Sequence, residues 1–98
     1  MEKRTKNRKL LNSYQGKPCV VCFHTIDTTA HHIKSVGAGG PDKEFNLIPL
    51  CFAHHRLAHD KGLNFLAQSF SKVRQYLRDN GWQFDNFLSK WTHPELNK

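Results

Sequence analysis

The sequence predicts a small α+β protein: two short strands on either side of a long loop, then a series of helices, with bound zinc as a cross-link. Two segments that read as short strands, 30–34 and 45–50, are separated by a stretch dense in turn residues, Ser35 to Asp42. Helical spacing begins at Cys51 and recurs toward the C-terminus. All three cysteines and six of the seven histidines fall between residues 19 and 59, at intervals that suit metal ligation.

At 98 residues the chain is expected to form one domain over 1–98, small enough for a metal cross-link to help hold it together. Residues 1–9 carry five Lys/Arg against one Glu and read as a flexible basic arm touching phosphates, a solvated tail, or the start of a short helix that Leu10 to Gly16 continues. Cys19-Val20-Val21-Cys22 reads as a zinc knuckle, a tight turn that aims two thiolates the same way. Ala30 to Lys34 reads as a strand, and Phe45 to Leu50 as a second one, which Pro49 confines to an edge or a strand end. Cys51 to Lys61 fits a helix closed by Gly62. A second helical stretch runs from Leu63 to about Phe70. Ser71 is placed as the cap of a third over 72–80, with Gly81 as its stop and Val73, Tyr76 and Leu77 toward the core. Phe84, Phe87, Leu88 and Trp91 again stand at helical spacing. Trp82, Trp91 and the phenylalanines, including Phe65, Phe70, Phe84 and Phe87, are expected in the core rather than as base-stacking platforms.

The net charge of +7 and pI near 9.6 favour a polyanionic partner, nucleic acid above all. No apolar run approaches a membrane span, and the basic N-terminus lacks the apolar stretch of a secretory signal, so the expected setting is the cytoplasm, with no membrane. Three cysteines cannot form an all-paired disulfide framework, and C-x-x-C in a reducing compartment favours metal.

Cys19 and Cys22 supply two zinc ligands, and Cys51 a third. On a helix Cys51 shares a face with His54 at i+3 and with His55 at i+4, so spacing to the cysteine alone does not choose between them. The remaining histidine does. His54 and His59 would lie about 140° apart around a helix, whereas His55 and His59 at i+4 fall on one stripe. Cys19, Cys22, Cys51 and His54 are therefore assigned to a closed structural Zn²⁺. His31, His32, His55 and His59 are left over. Adjacent strand residues point to opposite faces, so one of His31 and His32 can bind metal while the other faces a water to be activated. With the two helical imidazoles this makes an open site of three nitrogen ligands beside an unligated base, a combination suited to phosphoryl chemistry.

His31-His32, Gly39-Gly40, Asn46 and His55-x-x-x-His59 together resemble the HNH, or ββα-metal (His-Me finger), endonucleases. The Cys19-x-x-Cys22 and Cys51-x-x-His54 pairs look like that family's zinc-stapled branch, and the His-His beginning and H-x-x-x-H ending are similar to the nuclease domains of DNA-cleaving colicins. The resemblance covers about residues 19–62. It implies a β-hairpin with a long Ω-like loop, then a helix, around one catalytic divalent ion. It implies His32 as general base, His31, His55 and His59 as ligands, and Asn46 as the residue that fixes the loop and helps orient the base. The implied reaction is hydrolysis of a DNA phosphodiester to a 5′-phosphate and a 3′-hydroxyl. Many family members have Asp where His31 stands; the all-imidazole set is softer and leaves Mg²⁺, Mn²⁺, Ni²⁺ and Zn²⁺ all open. On this reading residues 1–16 are a basic arm or short helix, 19–62 the zinc and ββα-metal core, and 63–98 a helical packing extension.

Lys34 and Arg56 flank the site and are candidates for phosphate contacts, or else ordinary solvated charges. The competing reading is a non-catalytic zinc module that binds nucleic acid and needs only the four-ligand site and the basic surface. A metalloprotease fits poorly, because Arg56 stands where H-E-x-x-H needs its Glu. No recognition helix follows the motif, so specificity is expected to be weak or supplied by other DNA-processing proteins; a phage or mobile-element setting is an analogy only.

Overall fold

The computed structural model of the protein describes residues 5–97; the N-terminal arm expected over residues 1–9 lies partly outside them, at 1–4. Helix α1 spans Arg8–Asn12, and the Asn7 side chain caps it by accepting a hydrogen bond from the Leu10 amide at 3.0 Å. The Cys19–Cys22 turn follows, closed by the Phe23 amide to the Cys19 carbonyl at 2.8 Å and the Cys19 amide to the His24 carbonyl at 2.9 Å. Strands β1, Thr29–His32, and β2, Leu47–Leu50, pair antiparallel with His31 opposite Ile48 and His32 opposite Leu47. Every residue of β2 is buried, as its unbroken apolar run requires. Pro49 has no amide to give to a ladder, and its carbonyl accepts the Val20 amide at 3.1 Å, which docks the cysteine turn on the hairpin.

Between the strands, residues 33–46 form the long loop, with 3₁₀ turns at Val36–Ala38 and Glu44–Asn46. Helix α2, Phe52–Lys61, starts directly after β2 with Cys51 at its N-cap position, and ends where Gly62 adopts a φ of +89°. Helices α3, Leu63–Ser69, and α4, Ser71–Asp79, follow. Ser71 is the first residue of α4 rather than its cap: Phe70 occupies that position in an extended conformation, without a side-chain cap bond. Val73 and Leu77 are fully buried. One apolar cluster joins Cys19, Ile48 and Leu50 with Ala58 of α2, Leu66 of α3 and Val73, Leu77 and Trp82. Two hydrogen bonds tie this C-terminal half to the hairpin, from Tyr76 Oη to the Leu47 carbonyl at 2.7 Å and from Trp82 Nε1 to the Phe45 carbonyl at 2.6 Å.

Residues 84–91 depart from the helical expectation. They form a second antiparallel hairpin, β3 (Gln83–Asp85) with β4 (Lys90–Thr92). The i, i+3, i+4, i+7 pattern is broken locally by Asp85, whose Oδ1 accepts the amides of Phe87 and Leu88 at 2.9 and 3.0 Å, and by Ser89 at a φ of +56°. Phe84 and Trp91 become a cross-strand pair, ring centroids 5.5 Å apart, rather than neighbours on a helix stripe. The expected burial of the aromatics is corrected too. Trp82 is buried, but Phe65, Phe84 and Phe87 are exposed, Phe87 almost wholly, at 95%.

Candidate metal centres and active site

Two groups of potential ligands meet at α2, one through His54 and the other through His55 and His59. Cys19, Cys22, Cys51 and His54 bring their ligand atoms within 4.8 Å of one another. His54 Nδ1 stands 3.2 Å from Cys51 Sγ and 3.7 Å from Cys19 Sγ, and the Cys22 and Cys51 sulfurs are 3.6 Å apart. Tetrahedral zinc with ordinary Zn–S and Zn–N bonds places its ligands roughly 3.5–3.8 Å apart, so this donor set could hold a structural zinc. The thiols also stand at the N-terminal end of α2, where the helix dipole favours a negative sulfur. Without a metal, burial pushes the Cys51 thiol up, with the neighbouring cysteines adding to the rise. For Cys19 burial pushes the same way, but hydrogen bonds from the backbone amides of Cys51, Cys22 and Val21 outweigh it and lower the thiol overall.

The second group is His31, His55 and His59, again with ligand atoms within 4.8 Å. His31 comes from β1, edge-on to His55 and to His59 with ring centroids 4.7 and 5.0 Å away; His55 and His59 stack at 4.9 Å. Burial depresses His31 to about 4, reinforced by repulsion from His55, His59 and His32, and His55 is lowered for the same reasons. Depressed imidazoles stay neutral, which is the form that binds metal. Thr29 Oγ1 lies 3.0 Å from His55 Nδ1 and orients that ring. The donor set fits a divalent ion with positions left for water or substrate.

His32 lies beside this cluster on β1 and opens onto the same cavity of about 490 Å³ as His31, His55 and His59. Its Nε2 is 2.7 Å from Asp42 Oδ1. An ionised carboxylate only accepts, so Nε2 carries the proton and Nδ1 keeps its lone pair. Asp42 is itself buried, at 4% exposure, and anchored by the Asn7 amide to Oδ2 at 2.8 Å and by its own amide to the Thr5 carbonyl at 2.8 Å.

Asn46 is fully buried at the far end of the loop. Its Oδ1 accepts the Lys34 amide at 2.7 Å, and its Nδ2 donates to the carbonyls of Lys34 and Pro41 at 3.1 and 3.0 Å. It therefore staples both ends of the loop and holds Pro41, the neighbour of Asp42; the group bonded to His32 is Asp42 itself. Gly40 passes so close to the Lys34 carbonyl that an added Cβ would overlap it. Lys34 is half-buried beside the site, whereas Arg56 is exposed, 3.9 Å from Asp60 across one helical turn, and lines a second opening shared with His55 and His59. Sequence reasoning missed Asp42 and Thr29. Neither stands at a recognisable interval from its histidine, and a β-hairpin register is what brings Thr29 to the helix.

Strand, loop, strand and helix thus enclose two side-chain clusters, one of sulfurs and an imidazole, the other of imidazoles alone, in a ββα-metal arrangement. The model of the HNH endonuclease family matches residues 19–61, the stretch that holds both clusters. Comparison with curated proteins and with solved structures returns no match.

Proposed function

We propose that the protein is a metal-dependent DNA endonuclease in which His32 is the general base, His31, His55 and His59 hold one divalent ion, and Cys19, Cys22, Cys51 and His54 hold a structural zinc. Residues 19–62 act as the catalytic core of one domain and 63–98 as the extension packed on it. The observation that carries the reading is the cavity shared by three imidazoles at ligand distance and a fourth that keeps a lone pair on Nδ1. The family match supports nuclease chemistry over the same residues.

A divalent ion held by the three histidines would offset charge on a phosphate oxygen and on the departing oxygen. His32 Nδ1 takes a proton from water as the water oxygen attacks phosphorus. The bond from phosphorus to the 3′ oxygen breaks, and that oxygen takes up a proton, leaving a 5′-phosphate and a 3′-hydroxyl. Asp42 holds the His32 ring in position and favours the imidazolium that forms. Asn46 acts at one remove, by fixing the loop that carries Asp42. Lys34 and Arg56 would contribute phosphate contacts.

The test is nicking of supercoiled plasmid with Mg²⁺, Mn²⁺, Ni²⁺ or Zn²⁺ supplied in turn. The expected result is cleavage that needs a divalent ion and falls about 100-fold or more in His32→Ala. Salt-dependent DNA binding without nicking by the parent under any of these ions would instead identify a non-catalytic zinc module.

A further inference from the structure

We infer that the C-terminal hairpin, outside the segment matched to the family, carries a binding path for a single strand of the substrate DNA. Three cavities run in sequence from the histidine cluster. The first, at His31, His32, His55 and His59, shares Ile33, Gly62 and Leu63 with a second of about 600 Å³. The second shares Asn64 and Trp91 with a third of about 700 Å³ between α3, α4 and the β3–β4 hairpin.

The charge along this path has one sign. Lys34, Lys61 and Lys90 line the second cavity, Arg74 and Arg78 line the third, and among the described residues no Asp or Glu lines any of the three. Five cations without a carboxylate complement a phosphate backbone. The far wall is aromatic: Trp91 is half-buried, Phe84 is exposed edge-on to it, and the Arg78 guanidinium stands 5.9 Å from the Trp91 ring centre. A partly exposed aromatic pair next to a guanidinium suits the flat face of a nucleobase, and only an unpaired base can present that face. Asn64, Gln68, Gln83 and Asn86 around the third cavity add neutral donors and acceptors. Duplex DNA would meet the same cations but leave the aromatic wall unused, which favours a strand already unpaired where it leaves the cutting site.

The inference takes its direction from the nuclease reading but is tested by binding alone. Full-length, zinc-loaded His32→Ala protein is titrated with a labelled single-stranded oligothymidylate and with a blunt duplex of equal length. Expected are at least about tenfold tighter binding of the single strand and quenching of tryptophan fluorescence that Trp91→Phe abolishes. Replacing Arg78 and Lys90 together by Ala is expected to weaken single-strand binding about tenfold and to lower the salt slope by about 1.4, two phosphates' worth. Both replaced side chains are exposed, and unchanged circular dichroism checks the fold. Equal affinity for duplex, or single-strand binding indifferent to the Arg78/Lys90 replacement, overturns the inference whether or not the parent nicks plasmid. Hairpin-dependent single-strand binding by a parent that never nicks supports the path and sinks the nuclease reading instead.

Discussion

His32 and Asp42 set the smallest scale at which the chemistry is decided. A histidine can act as a base only through a nitrogen that keeps its lone pair, and in the proposed mechanism the 2.7 Å contact from Nε2 to Asp42 leaves that part to Nδ1. Asp42→Asn is expected to lower cleavage about 10- to 100-fold while leaving divalent-ion uptake intact, because the amide can donate to Nε2 and favour the wrong tautomer. Single-turnover rates beside metal-binding isotherms check this, and an unchanged rate would remove Asp42 from the mechanism. His31 supplies a second test. Its folded value of about 4 lies below the ordinary 6.5, so between these the unfolded chain binds more protons than the folded one. That contribution to stability is complete above pH 6.5 and is lost as pH falls toward 4, at most about 3 kcal/mol. With no second metal added, the parent should lose more stability than His31→Asn over this window, as read by urea unfolding at each pH.

At the scale of elements, the loop between β1 and β2 governs whether the site exists. Its two ends are stapled by one buried side chain, Asn46, and its backbone passes the Lys34 carbonyl at Gly40 with no room for a Cβ. Gly40→Ala should destabilise the protein by on the order of 2–4 kcal/mol and lower Tm by roughly 10 °C or more, with loss of cleavage. Gly37→Ala, in the same loop, would meet nothing within 4 Å and should change neither. Helix α2 is the other governing element. Its pitch puts His54 with the cysteines and His55 and His59 with His31, so one helix of ten residues serves both clusters.

Over the whole molecule, the proposed function gives the two clusters different duties, and the difference is measurable. The cysteine turn, β2 and the start of α2 meet at the sulfur cluster, next to the core residues Ile48 and Leu50. Cys22→Ser is therefore expected to lose one zinc per chain and most cooperative thermal unfolding. His59→Ala, whose side chain is exposed, should keep that zinc and its melting profile while losing the second ion. Metal analysis and differential scanning calorimetry on the two variants separate these outcomes. A zinc count unchanged by Cys22→Ser would remove the structural assignment. No helix among the described residues is long and apolar enough to cross a membrane.

Local chemistry was enough to reveal the hairpin strands, the helix after them and the residues able to bind metal. Strand runs, a glycine stop and imidazoles or thiols at i+3 and i+4 are properties of neighbouring residues. The division of His54 from His55 followed from helix pitch alone. Only the tertiary structure set Asp42 against His32 and Thr29 against His55, because those contacts join positions ten and twenty-six residues apart through a loop and a register that no local pattern encodes. It also decided the last segment. Phe84, Phe87, Leu88 and Trp91 satisfy a helical period, yet the Asp85 side chain captures two backbone amides and turns the chain back. A short apolar run with helical spacing and a cross-strand aromatic pair can share one sequence, and the competing hydrogen bonds of a single turn choose between them.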